Sequence, residues 1–182
     1  VGNAAESEVQ GIEADVLYRL TEELTLNGAF AYLDATYKSF PGAGCTNAQS
    51  LATPTGCIQD LTGKSLQFAP EHTANVGVTY ETELSSGLLL SAGLDYNWTD
   101  DVVVSADLDD NLIQKSYGKL NARISLAGND KWQVSLVGKN LTDEATFMWG
   151  NDIPLGSLGF RGSYFKLIDP PRTVEVSARL NF

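Results

Sequence analysis

From Val174 to the end, every second residue is apolar: Val174, Val176, Ala178, Leu180 and Phe182, with Glu175, Ser177, Arg179 and Asn181 between them. A period of two is a strand with one oily face and one wet face. The chain stops on an aromatic residue of the oily face. In water that Phe gains little, whereas at a bilayer interface it is an anchor. The same alternation predicts seven strands, at 8–20, 24–37, 72–83, 88–98, 119–126, 132–139 and 172–182. Their oily faces read Ile12/Ala14/Val16/Tyr18/Leu20, Leu24/Leu26/Gly28/Phe30/Tyr32, Ala74/Val76/Val78/Tyr80, Leu88/Leu90/Ala92/Leu94/Tyr96/Trp98, Leu120/Ala122/Ile124/Leu126 and Trp132/Val134/Leu136/Gly138, then the last strand. None of these positions is charged. Glu13, Asp15, Arg19, Glu81, Asp95, Arg123, Lys139, Glu175 and Arg179 fall on the opposite parity. A Lys or Arg on the lipid face at the bilayer midplane costs about 2–4 kcal/mol, which accounts for the segregation.

Connections alternate as well. Thr21-Glu22-Glu23, Ser85-Ser86-Gly87 and Ala127-Gly128-Asn129-Asp130 are short turns, and 38–71, 99–118 and 140–171 are long loops. Short periplasmic turns and long extracellular loops are the outer-membrane arrangement, so the final strand descends from a long loop to the periplasm. On that orientation Tyr18, Tyr80, Trp132 and Phe182 fall at the periplasmic rim, and Tyr32, Tyr96 and Trp98 at the outer rim. The expected fold is all-β: an antiparallel up-and-down transmembrane β-barrel segment. A soluble β-sandwich shares the alternation, because one face of each sheet packs on a core. Its strands average about 5–6 residues, shorter than several here.

No run of apolar residues reaches the ~18 needed for a transmembrane helix. Net charge is −11, so no basic patch offers itself to nucleic acid. No signal peptide stands at Val1, and seven is an odd number where bacterial single-chain barrels have an even one. Both features lead us to expect that residues 1–182 are one partial domain, the C-terminal part of a larger barrel.

Several segments resemble the late barrel of TonB-dependent outer-membrane receptors. They are Gly11-Ile-Glu-Ala-Asp-Val-Leu-Tyr-Arg-Leu with Leu24-Thr-Leu-Asn-Gly-Ala-Phe-Ala-Tyr, Phe68-Ala-Pro-Glu-His-Thr-Ala-Asn-Val-Gly-Val, Leu120-Asn-Ala-Arg-Ile-Ser-Leu, Val137-Gly-Lys-Asn-Leu-Thr-Asp-Glu, and Pro170-Pro-Arg-Thr-Val ahead of the terminal Phe182. The resemblance implies a barrel of about 22 strands, plugged by an N-terminal domain and importing a scarce nutrient with energy passed through TonB. It implies no enzyme activity and no cofactor. Implied partners are outer-membrane lipid and lipopolysaccharide, the rest of the barrel and its plug, the TonB complex through the N-terminal part, and the barrel-insertion machinery. The segment read by that machinery would be Val174, Val176, Ala178, Leu180 and Phe182. A ferric siderophore is the expected cargo. A passive porin or autotransporter barrel, and a soluble β-sandwich binding module, are the alternatives.

Motifs for catalysis or metal binding are sparse. The single histidine, His72, cannot complete a Ser-His-Asp set and reads as a polar strand-start residue. Gly42-Ala-Gly-Cys-Thr-Asn lacks the third glycine of a dinucleotide fingerprint, and no helix is expected after it. Asp107-Leu-Asp-Asp-Asn lacks the glycine and distal glutamate of a calcium loop and reads as solvated. Cys45 and Cys57 share one long loop. An even count in an oxidising compartment favours a disulfide, contributing about 3 kcal/mol to loop order. Metal ligation is the alternative, and two thiols without a nearby His or third Cys make a poor zinc site. In the loop 146–172, Trp149, Arg161, Tyr164 and Phe165 are candidate ligand contacts, with Phe147, Met148 and Phe160 nearby. Aromatics with a cation suit anionic aromatic iron chelates and also sugars. Loop-on-loop packing, or contact with lipopolysaccharide, would use the same residues.

Overall fold

The computed structural model describes residues 6–53, 55–128, 131–153 and 163–182. Seven strands make one antiparallel sheet in chain order: β1 (Glu6–Arg19), β2 (Leu24–Ser39), β5 (His72–Glu83), β6 (Leu88–Thr99), β9 (Tyr117–Gly128), β10 (Trp132–Lys139) and β13 (Thr173–Leu180). Each long loop carries its own two-stranded ribbon: β3 (Ala43–Gly44) with β4 (Ile58–Gln59), β7 (Val102–Val103) with β8 (Ile113–Gln114), and β11 (Phe147–Asp152) with β12 (Tyr164–Ile168).

Register verifies the parity across all seven strands. Directly opposed residues share a face of the sheet. One such row runs Tyr18, Leu26, Val78, Leu94, Ala122, Gly138, Val174, every member from the oily set. A row on the polar face, three residues along, carries Glu81, Ser91, Ser125, Ser135 and Ser177. Exceptions exist: Leu17, Leu89 and Val137 carry apolar side chains on the polar parity. The oily row starts one residue from the end of β1 yet finishes six residues from the end of β13. A row that climbs steadily relative to the strand ends is the stagger of tilted barrel strands.

No second sheet covers the oily face among the described residues. Val134 is 45% exposed and Val176 74% exposed, which excludes a sandwich core. On the polar face, Asn27 Nδ2 donates to Asn75 Oδ1 at 3.0 Å, and Asn75 Nδ2 to Asn97 Oδ1 at 2.8 Å. Lys139 and Glu175 pair across β10 and β13 at 3.6 Å.

Three features differ from the sequence reading. β13 ends at Leu180, opposite Trp132; one further backbone bond, Asn181 N donating to Lys131 O at 2.7 Å, follows the last ladder pair, and Phe182 projects beyond it, fully exposed. A helix, α1 (Asn47–Ala52), does follow the Gly42 segment. Thr46 caps it, with its side chain accepting from Gln49 N while the Gln49 side chain accepts from Thr46 N, a reciprocal capping box. Asp109 is buried rather than solvated, because its carboxylate turns inward to accept from Asn111 N at 2.8 Å.

Candidate functional site

At the long-loop end of the sheet the three loops interlock. The first, 40–71, is closed by a bond between Cys45 and Cys57, whose Cα atoms stand 6.0 Å apart. It packs Phe40 and Leu66 around Tyr37, Ala43 and Leu61, and the second loop adds Leu108 to this cluster. Val104 and Leu112 are buried within the second loop, joined by Val104 N donating to Leu112 O at 3.0 Å. Phe68 N reaches Val103 O at 2.9 Å, and Gln59 Nε2 reaches Asp107 O at 2.7 Å.

The third loop docks on both others. Phe147 N donates to Gln114 Oε1 at 2.9 Å, and Gly150 lies so close over Leu112 that a side chain there would collide. Asp152 Oδ2 accepts from Asn47 N at 2.5 Å, and Asn47 Nδ2 donates to Ser163 O at 3.3 Å. Burial, reinforced by Asp107 and Asp109, pushes the Asp152 carboxyl up to about 6; the Asn47 N–H opposes that shift. The loop base is fixed by Asp169, which accepts from Lys119 at 2.8 Å and Thr146 at 2.5 Å. Burial pushes Asp169 up, but the Lys119 and Thr146 contacts outweigh it and hold the carboxyl below its usual range.

The β11–β12 ribbon sorts the candidate contact residues onto two faces. Trp149 and Phe165 meet edge to face, with ring centroids 5.1 Å apart, and both are about 40% exposed. Tyr164 follows the opposite parity, opposed to Asp152. Arg161 and Phe160 lie outside the described residues. Lys166, which the sequence reading missed, holds its Nζ 4.1 Å from the Phe147 ring and 5.5 Å from the Tyr164 ring. Its signal was present in the alternation Tyr164-x-Lys166, which puts cation and phenol on one side of a strand. The arrangement offers an exposed aromatic edge on one face and an aromatic-flanked ammonium on the other. At the same rim His72 Nδ1 stands 3.2 Å from Asp100 Oδ2, and its ring lies 5.3 Å from that of Tyr32. No group of metal-ligating side chains occurs among the described residues.

A staggered antiparallel meander, oily outside, polar inside and capped by loops at one rim, is a segment of transmembrane β-barrel wall. The chain belongs to the family described as TonB dependent receptor-like, beta-barrel, which it matches over residues 1–141. This is a family of transport receptors, not of enzymes. It is similar in fold to the ferric yersiniabactin uptake receptor FyuA from Yersinia pestis, with TM-score 0.73 and 17% identity over 97% of the chain. The siderophore receptor PiuA from Acinetobacter baumannii gives 0.66 and 20% over 94%. The ferripyoverdine receptor of the outer membrane of Pseudomonas aeruginosa gives 0.61 and 16% over 97%. The chain spans 24%, 21% and 20% of these three structures, so it corresponds to about a quarter or less of each. No curated protein sequence matches it.

Proposed function

We propose that the chain is the C-terminal part of the barrel of a TonB-dependent receptor in the bacterial outer membrane, and that the receptor imports a ferric siderophore. The seven strands supply about a third of a wall of about 22 strands, and the interlocked loops cover the extracellular mouth. The observation that carries the reading is the docked β11–β12 ribbon, which holds Trp149 and Phe165 half-exposed on one face and an aromatic-flanked Lys166 on the other. Exposed aromatic rings, and an ammonium flanked by aromatic rings, are the groups that contact an anionic, aromatic chelate. Trp149, Tyr164 and Phe165 are assigned as contacts, with Arg161. The plug and the TonB complex belong to the N-terminal part of the parent receptor. Val174, Val176, Ala178, Leu180 and Phe182 are assigned as the segment read by the insertion machinery.

Growth and chelate uptake in a strain lacking the parent gene test this. Poor growth under iron limitation, restored by the wild-type receptor and not by the Trp149→Ala/Phe165→Ala receptor, is expected. Normal growth on scarce iron with a defect on a sugar or cobalamin would retain an importer and discard the siderophore. A parent protein without a plug, conducting ions steadily across a bilayer, would discard the importer too.

A further inference from the structure

The first loop contains a small stapled lobe, residues 43–59. Its two short strands pair Ala43 with Gln59 and Gly44 with Ile58. Between them lie the capped helix α1 and the cross-link from Cys45 to Cys57, twelve residues on. Helix α1 buries none of its residues, and Ala43 is the one buried side chain among the described residues of the lobe. A unit this small has no apolar core to hold it, and the covalent link takes that part. Polar contacts tie the pieces together: Gln49 Nε2 donates to Gln59 Oε1 at 3.2 Å, and Gln59 Nε2 to Gly44 O at 2.6 Å.

The lobe grips the β11–β12 ribbon. Asn47 is the first residue of α1, so its N–H has no partner within the helix. That N–H donates to Asp152 Oδ2 at 2.5 Å, and Asn47 Nδ2 donates to Ser163 O at 3.3 Å. Asp152 is the last residue of β11, and Ser163 immediately precedes β12. One asparagine therefore spans the far end of the ribbon, beside the rung in which Ile153 N donates to Ser163 O at 3.0 Å. Trp149 lies three residues from one contact and Phe165 two residues from the other. A two-stranded ribbon is marginal by itself. Here its base is held by Asp169, its middle by the fit of Gly150 on Leu112, and its far end by Asn47.

We propose that the Cys45–Cys57 lobe positions the cargo ribbon, with Asn47 as the positioning residue. Cys45 is two residues from Asn47, joined to it through the N-cap Thr46, so the cross-link fixes the backbone from which both Asn47 bonds are made. The pairing of Trp149 with Phe165 depends on the register of the two ribbon strands. With the far end clamped, the rings are ordered before cargo arrives, and less ordering remains to oppose binding. The two cysteines thus act on affinity through loop order and touch no cargo themselves. The role in binding rests on the contact reading given above; the role in ordering the ribbon does not.

Two measurements on the full parent receptor test this: amide exchange without ligand, and uptake of a radioiron-labelled tris-catecholate chelate by cells carrying each variant as the sole copy of the parent gene. Cys45→Ser/Cys57→Ser should speed exchange at Asn47 and Ile153 about tenfold, within what closing a loop of this length contributes, and leave wall amides unchanged. Treating the wild type with dithiothreitol should do the same, which covers a double variant that folds poorly. Asn47→Ala, with the cross-link intact, should reproduce the effect at Ile153, and Ala48→Ser, exposed on the same helix, should not. In uptake, the half-saturating chelate concentration should rise about tenfold for the cysteine and Asn47 variants at an unchanged maximal rate. Mere loss of folded receptor would do the reverse, lowering the maximal rate alone. Ile153 exchange unaltered by both reduction and Asn47→Ala overturns the proposal, as does faster exchange with an unchanged half-saturating concentration. Wild-type cells that take up no chelate discard the contact reading instead, and exchange alone then decides whether the lobe positions the ribbon.

Discussion

The wall and the cap of this protein are built on opposite plans. In the seven-stranded wall the hydrocarbon is outside: Val16, Val76, Leu94, Val134 and Val176 are all exposed, while Ser125 and Ser135 on the polar face are buried. In the cap the arrangement is that of a water-soluble domain. Tyr37, Ala43, Leu61, Val104 and Leu112, all at or beyond the long-loop ends of strands, are with Ala35 the buried apolar side chains among the described residues. The difference follows from the solvent. Lipid supplies the wall's apolar contacts, so the wall needs no core of its own, and its backbone polar groups are satisfied within the ladder. The cap stands in water and must bury apolar surface to offset the entropy of ordering its loops. One chain thus obeys two inside-out rules, and the boundary between them falls at the row of Tyr32 and His72.

The largest effect should come from the cap core. Leu112→Ala removes a fully buried side chain beneath Gly150 and should cost about 2–5 kcal/mol locally. Hydrogen exchange on the parent receptor should then show faster exchange at Val104 and Phe147 with wall amides unchanged. Uniform loosening of wall and cap would mean the two are not separate units. Next is the wall. Val76→Arg, near the middle of β5, should destabilise the receptor in phospholipid vesicles by about 2–4 kcal/mol, while Thr79→Arg, on the polar face, should change little. Comparable urea midpoints for the two variants would break the assignment of faces.

A smaller effect on stability, with a larger one on biogenesis, is expected at the terminus. Phe182 lies beyond the last ladder pair, Trp132 with Leu180, so Phe182→Asp should cost only about 0–1 kcal/mol in the folded barrel. If the terminal alternation is read during insertion, the yield of membrane-inserted parent receptor should nevertheless fall. Unchanged yield would reduce Phe182 to an interfacial anchor.

Legibility in the sequence divides along the same line. The wall was readable because period-two alternation is imposed by solvents on both faces, and Tyr18 to Val174 fall in one row as parity requires. The cap was not, because its order comes from few, scattered contacts that carry no period. Some local signals were nonetheless present: Thr46 and Gln49 spell a capping box, and Tyr164 and Lys166 share a strand face. Docking of Asn47 onto Asp152, about a hundred residues away in the chain, has no local signature at all. The contact candidates Trp149 and Phe165 could be named from composition, but their pairing on one face and the placement of Tyr164 on the other depend on a register set by the bulge between Phe147 and Trp149.

That docking point gives a small predicted effect, confined to the cap, and the finest test of it. Asp152 receives the Asn47 N–H, yet it is partly buried with Asp107 and Asp109 close by, and its carboxyl titrates at about 6. An acid whose pKa is raised on folding binds its proton more tightly in the folded state. The docked loop is therefore most stable below about 4, loses stability as pH rises toward 6, and carries the full cost at neutral pH. Discounted for solvent screening, that cost is about 1 kcal/mol. Asp152→Asn keeps the shape and an acceptor for Asn47 N while removing the charge. At neutral pH it should slow exchange of the Asn47 amide several-fold, and the difference from wild type should vanish near pH 4. A variant that instead exchanges faster at neutral pH would show that the charge on Asp152 holds the loops together, with its attraction for the Asn47 N–H outweighing burial and the two neighbouring carboxylates.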